Sequence, residues 1–341
     1  MPAEGTELGN RLNRLKAHEA RITDGSCHNW HVTLVNVQKS PEAPAMPLSF
    51  TMEDQPSHPP SPPGRRKVLI TGAAGRIGSS FAEHGHRNYD FRLVVQTTQD
   101  PAKVEPLKRF GEVVPAELAD RARLQELCAG IDTVIHLAAD PNPNATWESL
   151  LSNNIVGTYN LMWAAKSAGC RRVIYASSIH AVGGYGRGVQ VKAGDPVNPG
   201  DLYGVSKCFG EALGRYMAEQ EGLSVIAIRI GGFQPAEQII ARPDAAGLVD
   251  SWISPRDLHQ LLDKCIAADH LRWAVFNGLS GNAFNRLDIS DARQLLGYVP
   301  QDDAADVVPS LAGLSLQGRL MHHNMQDTWA KSGLRDDDSK S

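Results

Sequence analysis

No stretch of this 341-residue chain concentrates positive charge: 34 Lys and Arg stand against 38 Asp and Glu, for a formal net charge of −4. A nucleic-acid surface needs a basic stripe to neutralise phosphates, so no nucleic-acid partner is expected. Cysteine is equally sparse. The five, at positions 27, 128, 170, 208 and 265, never form a C-x-x-C pair, which argues against a zinc site and against a disulfide framework. Long apolar runs are missing too. Nowhere do 18 apolar residues follow one another, and the N-terminus lacks the charged, apolar and small-residue regions of a secretory leader. These absences predict a cytoplasmic protein with no membrane segment, no metal and a small-molecule partner.

What is present divides unevenly along the chain. Eight prolines crowd positions 41–63, in "SPEAPAMPLSFTMEDQPSHPPSPPGRR" and its flanks. Such a stretch cannot build a packed core, so residues 1–64 read as a disordered or weakly structured arm. Only slight helical potential at 7–22 and a short strand at 30–37 interrupt it. The tail 331–341 also reads as disordered. With 42% hydrophobic residues overall, the intervening 65–330 has material for one sizeable core.

From residue 66 the pattern becomes regular. Short β-branched runs, "KVLITG", "FRLVVQ", "EVVPAEL", "DTVIHLAA", "RRVIYASS" and "LSVIAIRIG", are of the kind that parallel strands buried on both faces require. Helix-like stretches at 76–85, 121–129, 147–168 and 203–221 separate them. Alternation of this kind predicts an α/β doubly wound parallel sheet of the Rossmann type, with a small C-terminal substrate-binding lobe drawn mainly from 179–200 and 232–300.

The first strand runs into "TGAAGRIGSS", which spaces Gly72, Gly75 and Gly78 as G-x-x-G-x-x-G. Gly72 permits a tight turn, Gly75 lets a backbone approach a pyrophosphate, and Gly78 lets the following helix pack on the sheet. A dinucleotide cofactor is therefore expected. An acid that ends the second strand would bond the adenosine ribose and favour NAD over NADP. That place falls at Gln96, and the nearest acid, Asp100, comes four residues later. An amide can bond a ribose hydroxyl and does not repel a 2′-phosphate, but no arginine sits there to receive that phosphate, so NAD is the expected cofactor and NADP stays open.

In "DLYGVSKCFGEAL", Tyr203 and Lys207 lie four apart at the start of an apolar helical pattern. With seven tyrosines in the chain, chance supplies about one such spacing, and the pair gains weight only from its company. That company is specific. The glycine turn, "HLAA" at 136–139, "NNIVGTYNL" at 153–161, "YASS" at 175–178 and "YGVSK" occur in the order seen in the extended short-chain dehydrogenase/reductase superfamily, which the chain resembles over about residues 66–300. Within it, "TGAAGRIG", "SSIH", "DLYGVSKCFGE", "IRIGG", "WISPRD" and "LGYVPQDD" are most similar to uronate dehydrogenases, which oxidise the anomeric carbon of hexuronic acids with NAD.

The resemblance implies roles. Tyr203 becomes the acid/base, Lys207 the cation that favours its phenolate and holds the nicotinamide ribose, and Ser178 the group that orients the reacting hydroxyl. Ser177 is the alternative to Ser178, and Asn154 matches an asparagine that supports the lysine through water in related enzymes. For the cofactor, Arg76 and Ile77 fall beside the pyrophosphate, Glu117 and Leu118 beside adenine, Leu137, Ala138 and Ala139 along the dinucleotide, and Ile230 near the nicotinamide. Ile77, Leu137 and Ile230 are equally consistent with core positions. Substrate would meet Ser178, Ile179, His180, Tyr203 and Gly232. The helices at 147–168 and 203–221 match a pair that forms a homodimer interface in many relatives.

The match has gaps. Ile179 stands where uronate dehydrogenases resemble S-S-N-H, Pro141 and Gly232 replace hydroxyl-bearing residues, and Arg242 does not align securely with a carboxylate-binding arginine. Trp252, Phe276 and Phe284 are read as core before pocket wall, and Arg256–Asp257 as a helix-start pair. Two rivals remain. A nucleotide-sugar epimerase or dehydratase would use the same Tyr–Lys pair, but a dehydratase usually carries Asp-Glu where Ile179 and His180 stand. A non-catalytic dinucleotide sensor would generally have lost that pair.

Overall fold

The computed structural model describes residues 64–186, 188–241 and 245–308. The readings made for the N-terminal arm, the tail and Arg242 lie outside them. Seven parallel strands form one sheet: β1 (Arg66–Thr71), β2 (Tyr89–Val95), β3 (Gly111–Pro115), β4 (Thr133–His136), β5 (Arg172–Ser178), β6 (Ser224–Ile230) and β7 (Trp273–Gly278). Their order, β3-β2-β1-β4-β5-β6-β7, reverses direction between β1 and β4, which opens a crevice at the C-terminal ends of those strands.

The sheet is buried on both faces because successive residues feed opposite cores. Val68 and Ile70 pack into one cluster with Ile135, Ile174, Ile226 and Ile228. Leu69, Val134, Val173 and Val225 pack into the other. This period of two, with apolar residues facing both cores in the middle of the strands, explains why the strands read as short hydrophobic runs without polar alternation.

Helices α1 (Arg76–Gly85), the short α2 (Pro101–Val104), α3 (Arg121–Cys128), α4 (147–167), α5 (Leu202–Glu219) and α6 (Pro255–Ala267) cover these faces. The α1 span is the one expected, and α3 and α5 agree within two residues. Helix α4 departs from the simple helix expected at 147–168. It runs as Trp147–Ser149, then Leu150–Val156 in π geometry, then Gly157–Ser167. Strand β7 is an addition to the six expected, and Phe276, buried within it, is core.

A small lobe gathers after β6, where Ile239, Trp252, Ala304, Ala305 and Val308 form a third cluster. Two short parallel strands, Gly232–Phe233 and Trp252–Ile253, brace it. Trp252 is therefore core as expected, whereas Phe284 is exposed and belongs to neither core nor pocket wall. Arg256–Asp257 is the expected helix start. Ser254 caps α6 by accepting from the Asp257 amide, the Asp257 carboxylate takes the amides of Gln301 and Asp302, and Arg256 pairs with Asp302. Among the described residues no helix is long and apolar enough to cross a membrane, and no cluster of metal-ligating side chains occurs.

Candidate active site

The turn after β1 is built for close approach. Gly72 adopts φ +69°, and a Cβ there would sit 2.8 Å from the Ala138 amide nitrogen. A Cβ on Gly78 would lie 2.5 Å from the Gly72 carbonyl oxygen. Both positions exclude any larger residue. Helix α1 begins at Arg76 with no side-chain cap and no acid in its first turn, so its leading amides face the crevice free to bind an anion. Arg76 reaches across to donate to the Phe233 carbonyl oxygen at 2.7 Å, tying the turn to the small lobe.

A cavity of about 880 Å³ extends from this turn in both directions. Towards β2 and β3 it is lined by Gln96, Gln99, Lys103, Glu117 and Leu118. Asp100 is not in that lining. Its carboxylate caps α2 by accepting from the Ala102 amide at 2.9 Å, so the acid displaced in sequence is also displaced from the ribose position. Glu117 is fixed by the amide and hydroxyl of Thr97. Beneath the middle of the cavity, Thr71 Oγ1 accepts from the Ala138 amide at 3.2 Å and lies 2.8 Å from His136 Nδ1. The other ring nitrogen of His136 lies 3.2 Å from Thr158 Oγ1. Burial, with the Lys207 charge as a smaller cause, lowers the His136 pKa to about 3, so the ring is a neutral strut under the 137–139 segment.

At the opposite end stand Tyr203, Lys207 and Ser178. Asp201 caps α5 by accepting from the Gly204 amide at 2.7 Å, which sets Tyr203 in the first turn. Lys207 follows one turn later on the same face, 4% exposed. Its Nζ donates to the Ala176 carbonyl oxygen at 2.8 Å and lies 5.5 Å from the centroid of the Tyr203 ring. Burial lowers the Lys207 pKa to about 8. Burial also raises that of Tyr203, against a hydrogen bond from Ser178 that lowers it, and the charges of Asp201 and Asp140 raise it further. The phenol therefore needs both neighbours if it is to accept a proton near neutral pH.

Both serines at the end of β5 line the cavity, but their hydroxyls have different partners. Ser178 faces Tyr203 and accepts from the His180 amide at 3.2 Å, whereas the Ser177 hydroxyl donates inward to Glu211 Oε1 at 2.6 Å. His180 stands edge-on to the Tyr203 ring at 5.3 Å, with Nδ1 held 2.6 Å from Asp201 Oδ2. Asn154 lies beside Ser206 of α5. Fully buried in the π segment, it accepts from the Asp140 amide and donates to the Asp140 carbonyl oxygen and to Ser206 Oγ, without a hydrogen bond to Lys207.

The cavity lining thus brings together Gly72, Gly75, Arg76, Ile77, Gly78, Gln96, Glu117, Leu118, Leu137, Ala138, Ala139, Ser178, Ile179, His180, Tyr203, Lys207, Ile230 and Gly232, all singled out in the sequence. Asn154 is left out. Asp140, Asn153, Gly231 and Phe233 enter it without having been singled out. Asp201 and His136 carried a signal, since each lies inside a quoted motif. Asn153 likewise opens the quoted run at 153–161, whereas Phe233 carried no signal beyond adjacency.

These features agree with what the chain resembles. Residues 68–233 match the model of the NAD dependent epimerase/dehydratase family. The NAD-dependent glucose-6-phosphate dehydrogenase of Haloferax volcanii is 35% identical over 254 residues, covering 70% of this chain and 94% of the relative. The L-arabinose 1-dehydrogenase (NAD(P)(+)) of the same organism is 33% identical, covering 71% and 99%. A crystal structure of a tyrosine-to-alanine variant of uronate dehydrogenase from Agrobacterium tumefaciens, complexed with NAD, superposes with a TM-score of 0.64 at 29% identity, covering 74% of this chain and 91% of that one.

Proposed function

Since the chain belongs to the NAD-dependent epimerase/dehydratase family of extended short-chain dehydrogenases/reductases, and its relatives include NAD-dependent sugar dehydrogenases, we propose that it oxidises a hydroxyl of a small sugar or sugar acid. The observation that carries this reading is the convergence of Tyr203, Lys207 and Ser178 at one end of the cavity whose middle is the glycine turn. Bound NAD would supply the hydride acceptor. Its pyrophosphate fits the open amides beside Gly75, Arg76, Ile77 and Gly78, where a Cβ would intrude. Gln96, Glu117 and Leu118 would hold the adenosine end, Leu137, Ala138, Ala139 and Ile230 the length of the dinucleotide, and Tyr203 and Lys207 the nicotinamide ribose.

Tyr203 takes the proton from the reacting hydroxyl while Ser178 holds that hydroxyl in line. Lys207 stabilises the phenolate by its charge, and burial around it keeps that charge effective. His180, its Nδ1 engaged by Asp201, offers Nε2 to the substrate hydroxyls. Ile179 and Gly232 shape the remaining wall. Of the unit expected at 65–330, the described residues up to 308 act as one catalytic unit, with the substrate lobe from the described parts of 179–200 and 232–300. Helices α4 and α5 expose Trp147, Tyr159, Leu202, Val205 and Tyr216, which supports a homodimer through that face. Light scattering that returned a monomer mass would exclude it.

The test mixes protein, NAD or NADP and a panel of free aldoses and uronates, and follows the absorbance of reduced cofactor. Net reduction with one of them is expected. Conversion of a nucleotide sugar with no net reduction would replace this reading with the epimerase/dehydratase one.

A further inference from the structure

Beneath the reacting groups lies an ion pair that the proposed chemistry leaves unused. Glu211 and Arg229 are 5% and 2% exposed. Arg229 Nε donates to Glu211 Oε1 at 3.0 Å and Nη2 to Oε2 at 2.9 Å, while Ser177 adds its hydroxyl to Oε1. Arg229 Nη1 also reaches the Ala193 carbonyl oxygen at 3.4 Å. A buried pair of this kind gains little stability over apolar side chains of the same size, so its presence asks for another reason.

Its position supplies one. Glu211 lies four residues beyond Lys207 on α5, stacked one turn further along the same face. Arg229 directly precedes Ile230, and Ser177 directly precedes Ser178, so each anchor of the pair adjoins a residue that lines the cavity. Yet Lys207 makes no hydrogen bond to Glu211. Its Nζ turns to the Ala176 carbonyl oxygen and towards Tyr203. A bare carboxylate one turn away would draw the ammonium to itself, and Arg229 removes that attraction.

We propose that the Glu211–Arg229 pair is a positioning device for Tyr203 and Lys207: by keeping the net charge beneath them at zero, it sets the pH at which the phenol becomes a base. This inference rests on the dehydrogenase reading of the same site. The other titratable or charged groups around the Tyr203–Lys207 pair are His136 from β4, Asp140 after β4, Tyr175 from β5, His180 after β5, Asp201 at the cap of α5 and Cys208 within it. Burial accounts for the lowered pKa of Lys207, as expected if no unbalanced carboxylate holds it up.

Glu211→Gln leaves the guanidinium unbalanced, and arginine does not shed its proton in proteins. A cation one turn away favours the phenolate, so the acid limb of kcat/KM should move down by about one pH unit. Arg229→Gln should move it up, and Glu211→Gln combined with Arg229→Gln should return it to the wild-type position. Arg229→Lys keeps the charge while losing the forked geometry, and should leave the limb in place.

A packing role predicts instead a loss of rate at every pH with the limb unmoved. The second readout needs no substrate: the phenolate absorbance of the free protein, differenced against Tyr203→Phe, should shift in the same directions. An unmoved or upward titration in Glu211→Gln overturns the proposal. Where Glu211→Gln does not fold, Arg229→Gln still decides, since an unmoved or downward phenolate titration in that variant overturns the proposal. Failure of wild-type protein to reduce NAD with any sugar would count against the dehydrogenase reading alone, because the phenolate titration would still be measured.

Discussion

The two ends of one sheet handle charge in opposite ways. At the N-terminal ends of the strands, Arg66, Arg171, Asp132 and Asp269 form a linked set of ion pairs, with Arg171 Nε 2.8 Å from Asp132 Oδ1. Arg172, fully buried, donates to the carbonyl oxygens of Cys265, Ala268 and Leu271 and to Ser224 Oγ. Burial pushes the Asp132 pKa up, but Arg171, Thr133 and Arg66 outweigh it and hold the carboxyl below its ordinary value. At the C-terminal ends, Lys207 is buried with one carbonyl oxygen for a partner, and Tyr203 sits beside it with a raised pKa. Satisfied charge fastens the fold, and under-satisfied charge is free to do chemistry.

The sharpest way to break this contrast is to remove one oxygen from the C-terminal end. Tyr203→Phe should lower kcat by about 10³-fold while the melting temperature and NADH binding, read by nicotinamide fluorescence, change little. Normal turnover in that variant would sink the proposed acid/base role. At the other end the expected outcome is reversed. Arg172→Leu strips the buried Cys265 carbonyl oxygen of its donor, takes one of two donors from those of Ala268 and Leu271, and should cost about 3 kcal/mol of stability in denaturant titrations, with kcat of the folded protein unchanged. A tenfold fall in kcat with stability intact would show that the N-terminal end is not merely structural.

The same contrast explains what could be read in advance. The strands β1–β6 and the glycine turn were legible because each depends on a local pattern: buried runs on a two-residue period, and glycines where a Cβ would collide. The Tyr203–Lys207 pair was legible because four residues make one helical turn. Strand β7 was not, since Trp273, Ala274 and Val275 are only half-buried and its run borders a single neighbour. Nor could sequence choose between Ser177 and Ser178, whose difference lies in a partner 34 residues away on another element. The direct partners of Asn154 were hidden for a related reason: the π geometry of 150–156 turns its amide to Asp140 and Ser206, the latter 52 residues away.

Lys207 offers the smallest effect and the most telling one, because it measures what the C-terminal end gives up in stability. Its folded pKa is about 8 against an ordinary 10.5. Between those values the unfolded chain holds a proton that the folded chain has released, so this group makes stability rise with pH from about 8 to 10.5. Below about 8 the folded protein carries the full cost of a buried ammonium, on the order of 3 kcal/mol. Lys207→Met should remove that cost and leave the Ala176 carbonyl oxygen unpaired, for a net gain of about 2 kcal/mol at pH 7. The gain should shrink as pH approaches 10, where the wild-type lysine is neutral in the fold. Thermal melts at pH 7 and pH 9.5 would read both changes, and turnover should be lost at either pH. A variant less stable than wild type at pH 7 would mean that the hydrogen bond to Ala176 outweighs the buried charge, and Lys207 would then belong with the satisfied charges at the other end of the sheet.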